Sequence, residues 1–118
     1  YGQMAQQPLY FQSSKYFVSE LKKVLENVHV GLITSSDSFI SSSSKIAEIK
    51  EHFPDVLAVE MEGASIAQAA TALGKPFVII RAMSDTADHD ANVNFDKFII
   101  EAGKKSAEGL IRLLKEMV

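Results

Sequence analysis

The 118-residue sequence contains no cysteine. Disulfides and thiolate metal sites are therefore excluded, and a cytoplasmic setting is expected. A basic cluster is missing too. Twelve Lys and Arg are interspersed with 15 Asp and Glu, for a net charge of −3. With no positive stripe to follow a phosphate backbone, nucleic acid is not an expected partner. No apolar run is long enough to span a bilayer, and no secretory pattern opens the chain, so no membrane association is expected. Zinc-ligand spacing, a Walker loop and a dinucleotide fingerprint are all absent, so no metal and no cofactor is expected. His29, His52 and His89 fall in different elements without ligand spacing and read as surface or structural residues. There is no internal repeat. The chain opens on Tyr1 rather than methionine, which reads as a fragment or a processed chain.

What is present is a core-forming sequence, 47% hydrophobic, of a length that suits one domain. Residues 1–12 read as loop, with Gly2 and Pro8 as breakers. Phe17, Leu21, Val24 and Leu25 share a face at helical spacing, predicting a helix over residues 14–26 that stops at Asn27. The apolar run at 28–34 predicts a buried strand. The serines at 41–44 lead into a helix over 45–52, capped by Ser44, with Ile46, Ile49 and Phe53 inward and Pro54 as its stop. A second strand is predicted over 55–60, and an Ala-rich helix over 63–73, closed by Gly74. The third predicted strand covers 77–83. A polar loop, 86–92, precedes a long last helix capped by Asn94 and striped by Phe95, Phe98, Ile99, Ala102, Leu110, Leu113, Leu114 and Met117. Strands apolar on both faces, alternating with helices, predict an α/β fold: a mostly parallel sheet covered on both sides, in three α/β/α layers.

Polar clusters follow each predicted strand: Ser35, Ser36, Asp37 and Phe39; then Glu60, Met61 and Glu62; then Ser84 and Asp85. Ligands of parallel α/β sheets bind beyond the carboxyl ends of the strands, so three clusters at one edge predict a site. Taken singly, each residue has an ordinary explanation. Asp85 can cap a loop, Glu62 can be a first-turn acid that suits the helix dipole, Phe39 can be core, and Ser84 can satisfy a nearby backbone group. Arg81 resists one. A charge late in an apolar strand needs a carboxylate, and Glu62 and Asp85 are the candidates. If the second strand continues its alternation, Glu60 points away from the side on which the site forms.

Three runs carry a resemblance. Ala58-Val59-Glu60-Met61-Glu62-Gly63-Ala64 resembles the VEMEGAA segment of the nucleoside phosphorylase and nucleosidase superfamily. Residues 77–88, FVIIRAMSDTAD, resemble the FVxxRAxSDxAD segment of its nucleosidase branch, the 5′-methylthioadenosine/S-adenosylhomocysteine nucleosidases. Asp37-Ser38-Phe39-Ile40 resembles the GDxFI segment, and Tyr1-Gly2-Gln3 also fits. The resemblance covers the whole chain but corresponds to the C-terminal half of a family member.

It implies a phosphorylase/hydrolase-like fold and hydrolysis of the bond between adenine and a 5′-thioribose, in methionine salvage and the removal of S-adenosylhomocysteine. By the same resemblance Asp85 would protonate adenine N7, supported by Ser84. Phe39 would stack on the purine, and the Ile40 backbone would bond its edge. The Met61 backbone and the Glu62 carboxylate would hold the ribose hydroxyls, with Glu60 beside them and Arg81 orienting the carboxylates. Phe95 would cover the base and the 5′-thio region. These roles suit the residue types: an acid at N7 neutralises the leaving group, and a carboxylate accepts two hydrogen bonds from a diol.

The partners implied are a nucleoside, a second copy meeting residues 1–9, and the N-terminal half, which supplies the water-activating glutamate. Without that half the chain is expected to be inactive. Phosphorolysis within the same superfamily, or a non-catalytic adenine-nucleoside-binding module, are the alternatives. Two departures from the family pattern stand out: the four-serine run, and Ser36 where glycine is usual. If that position requires a positive φ, Ser36 strains the purine loop.

Overall fold

The computed structural model describes residues 1–82 and 95–117, with the backbone alone at 95–99. Helix α1, Lys15–Val24, starts where Ser14 leaves the helical conformation and its hydroxyl accepts the Phe17 N–H at 3.2 Å. Lys22 and Lys23 lie in its last turn, where cations suit the helix dipole. Leu21 is its buried residue.

Strand β1 is Leu32–Ser35, shorter and later than the predicted 28–34. Asn27 adopts a positive φ of 56°, ending the excursion from α1, and Val28 and Val30 remain exposed. The partner strand sets the limits. Strand β2, Val56–Glu60, pairs parallel to β1, with Leu32 opposite Val56 and Ser35 opposite Glu60. The Ser36 N–H extends the ladder to the Glu60 carbonyl at 2.8 Å. Residues upstream of Leu32 have no β2 residue to meet.

Helix α2, Ser43–His52, connects the two strands. Its cap is Ser42 rather than Ser44: the Ser42 hydroxyl accepts the Lys45 N–H at 3.3 Å. Ile49 is buried, as its periodicity predicts, and Phe53 follows the helix. The exposed His52 stacks on Tyr1, centroids 3.7 Å apart.

Helix α3, Gly63–Ala72, begins directly after β2 and lies beside β1. Gly74, at φ 67°, ends it in the left-handed region that favours glycine. The expected third strand is not formed by residues 77–82; among the described residues the sheet has two strands. A strand exists by pairing, and among the described residues Phe77 is instead tied to the cap of α1, its carbonyl accepting the Ser14 N–H at 2.7 Å.

Helix α4, Phe95–Glu116, packs on α1, and Arg112 donates to the Val24 carbonyl at 3.1 Å, closing the end of that helix. Leu113 is buried at 4% exposure, whereas Leu110, Leu114 and Met117 of the predicted stripe are exposed. The Asn94 cap lies outside the described residues. No helix of the described residues is long and apolar enough to cross a membrane.

Candidate functional site

The parallel pairing brings the ends of β1 and β2 to the same edge, so Ser35 and Glu60 are in register there. Glu60 is the hub. Its side chain is 10% exposed, and both carboxylate oxygens accept the Gly63 N–H at 2.8 Å. Oε2 also accepts the Glu62 N–H at 3.2 Å, and the Ser35 hydroxyl donates to Oε1. These N–H groups open α3, where a helix leaves donors unpaired and favours negative charge. Burial raises the Glu60 pKa, but the bonds from Ser35, Gly63, Glu62 and Arg81 outweigh it and hold the carboxyl below the usual range.

Arg81 meets one of the two carboxylates the sequence offered it, Glu62, while the other, Asp85, lies outside the described residues. The Arg81 Nη2 lies 2.6 Å from Glu60 Oε2 and 3.2 Å from Glu62 Oε2. Glu62 is thus one partner, but the shorter bond goes to Glu60, the residue that alternation turned away. That expectation required the strand to continue, but β2 ends at Glu60, and its carboxylate lies over the start of α3 on the Gly63 and Glu62 N–H groups. Asp85 and Ser84 lie outside the described residues, as does the side chain of Phe95.

Glu62 shares Arg81 with Glu60 but differs from it in exposure and in its other partners. It occupies the N-cap position of α3 without making a side-chain cap bond, and its side chain is 64% exposed. The first-turn role that would explain it away is therefore not exercised through a hydrogen bond. Held by Arg81, it offers acceptor capacity to a diol in solution. Met61 beside it is exposed. Two carboxylates drawn to one guanidinium are fixed without the repulsion an unbridged pair would feel.

The β1 end carries Phe39, 65% exposed, and the half-buried Ile40. An exposed aromatic ring next to a sheet edge has a free face for stacking. The strain expected at Ser36 does not arise: the positive-φ residues other than glycine among those described are Gln6 and Asn27. The Ser36 hydroxyl instead donates to the Ser38 carbonyl at 2.5 Å, bracing the turn before Phe39. Ser35 is the residue the sequence reading left without a role. Its signal was its position, the last residue of a strand parallel to one ending in a glutamate. Among the described residues no group of three or more His, Asp or Glu is arranged to hold a metal ion.

A family model described as the phosphorylase superfamily matches residues 2–118. A 5′-methylthioadenosine/S-adenosylhomocysteine nucleosidase of an Exiguobacterium species is 43% identical over 122 residues, covering 99% of this chain and 52% of that protein. The solved structure of such a nucleosidase from S. pneumoniae with a transition-state inhibitor is 57% identical, superposes with a TM-score of 0.89, and covers 100% of this chain and 53% of that one. Another from Streptococcus pneumoniae, in complex with 8-aminoadenine, is 62% identical with a TM-score of 0.88, covering 98% of this chain and 51% of that one. The chain thus spans about half the length of the relatives it matches.

Proposed function

This chain belongs to the phosphorylase superfamily, and on that premise we propose that it supplies the adenine- and ribose-binding part of a 5′-methylthioadenosine/S-adenosylhomocysteine nucleosidase. The observation that carries the reading is Glu62: exposed, bonded to Arg81, and free of cap duty at the edge where the strands end. In this reading Glu62 and the Met61 backbone take the ribose hydroxyls, Phe39 stacks on the purine, and the Ile40 backbone bonds its edge. Asp85, assisted by Ser84, protonates N7 so that adenine leaves neutral, and Phe95 covers the base. Arg81 keeps the carboxylates aligned with the positive charge that develops on the ribosyl ring as the bond lengthens. Proton donation and attack by water require no cofactor.

The 118 residues form the C-terminal part of one domain in this proposal. An N-terminal half contributes the base that activates water, and two copies associate through residues 1–9, in the cytoplasm. The exposed apolar side chains Leu57, Ile66, Ile100 and Ile111 support an arrangement in which further chain packs against this one. The assembled enzyme, meaning this chain together with that half, should release adenine from methylthioadenosine at the same rate with and without inorganic phosphate. Release that depends on phosphate would assign a phosphorylase, and binding without release a non-catalytic module.

A further inference from the structure

We infer that Ser35 is a positioning residue for ribose recognition, its hydroxyl holding Glu60 so that Arg81 presents Glu62 to the substrate; this rests on the nucleosidase reading above. Ser35 ends β1 directly opposite Glu60. Its hydroxyl accepts the Ala64 N–H at 2.8 Å and donates to Glu60 Oε1. A hydroxyl has one proton, and with the Ala64 N–H on the acceptor side that proton is directed at the carboxylate. Oε1 is thereby fixed, which aims Oε2 at Arg81, 2.6 Å away.

The consequence is passed along the row. Arg81 is 38% exposed and has many rotamers in solution; its bond to Glu60 selects one of them. In that rotamer the same Nη2 reaches Glu62 at 3.2 Å. Glu62 is mostly in solvent and makes no cap bond, so Arg81 is what orders it before the ligand arrives. Ser35 touches neither the ribose nor the base in this scheme. It acts two residues away, through Glu60 and Arg81.

Loss of the hydroxyl should leave the fold standing. Ala64 is exposed, so water can accept its N–H, and Glu60 keeps the Gly63 and Glu62 N–H groups. Such a local defect should separate ligands with ribose from those without. The test compares wild type, Ser35→Ala and Ser35→Thr in the assembled enzyme, with KM and kcat for methylthioadenosine and the inhibition constant of free adenine. Ser35→Ala should raise KM roughly tenfold, the size of effect expected from one hydrogen bond to a charged group, while adenine binds within about twofold of wild type. Ser35→Thr, which keeps the hydroxyl on a strand that tolerates β-branching, should restore KM. An unchanged KM in Ser35→Ala, an equal loss for adenine and nucleoside, or no rescue by threonine would overturn the inference while leaving an active wild type to uphold the nucleosidase reading. A wild type that neither binds nor cleaves the nucleoside would remove that reading and the role of Ser35 with it.

Discussion

Arg81 divides one positive charge between two carboxylates of unequal exposure, and the inequality sets different tasks for them. Glu60 is enclosed by donors that hold its carboxyl below the ordinary glutamate range. Its folded-state pKa lies below its unfolded value, so its contribution to stability is complete above the ordinary glutamate pKa and is lost as pH falls through the depressed one. Glu60→Gln should cost about 2 kcal/mol near neutrality, as expected for lost bonds to a charged acceptor. Urea denaturation of both proteins at stepped pH should show that gap closing below the usual carboxylate range; a gap independent of pH would contradict the hub role. For Asp85 the expectation is of another kind. Asp85→Asn keeps the shape but cannot deliver the proton, so turnover by the assembled enzyme should fall at least about a hundredfold while adenine binding persists. Kinetics together with adenine titration check this, and near-normal turnover would remove the assignment. At this scale the need of Arg81 for a carboxylate was legible, because a charge in an apolar run demands a partner. The identity of its nearer partner was not, since it depends on how a long side chain bends once the strand has ended.

The junction of β2 with α3 is the element on which the site depends. Gly63 allows it: a Cβ there would stand 2.7 Å from Glu60 Oε1, and that oxygen is tied to Ser35 and to the Gly63 N–H. Gly63 is the first residue of α3, where alanine's helix-interior advantage is not fully realised, whereas Gly63→Ala loses about 1–3 kcal/mol to crowding, and the carboxylate that must move is the one holding Arg81. Net destabilisation together with weaker nucleoside binding is expected, measured by thermal unfolding and by KM. A more stable protein with unaltered KM would show that Glu60 has room to yield. Helices α1, α2 and α3 were legible to within a few residues because caps, breakers and periodicity agree at their ends. Strands were less so. The start of β1 is set by which β2 residues it meets, and residues 77–82 look like a strand by composition yet have no ladder here. Periodicity reports which side chains prefer burial, whereas a ladder needs a neighbouring backbone.

For the molecule as a whole, the short list of buried apolar side chains is informative. Leu21, Ile49, Ala67 and Leu113 form the core of the described residues, while Ile66, Ile100, Leu110 and Leu114 are exposed at about half or more of their surface. The Cα radius of gyration is 15.3 Å, against about 13 Å for a compact chain of this length, and the thinnest dimension is 19 Å. A thin slab with apolar side chains on its surface suits one part of a larger assembly, in keeping with relatives about twice as long. The site has the same character. Its carboxylates and guanidinium are proposed to hold the ribose and stabilise charge, with the group that activates water in the partner half. The most direct measurement is therefore to run the assembled enzyme on methylthioadenosine in water carrying heavy oxygen, with phosphate present, and to weigh the sugar product. The account predicts one heavy oxygen on the anomeric carbon of the thioribose, no sugar phosphate, and no product from the 118-residue chain alone. A sugar phosphate without the label, or labelled product from the isolated chain, would contradict it.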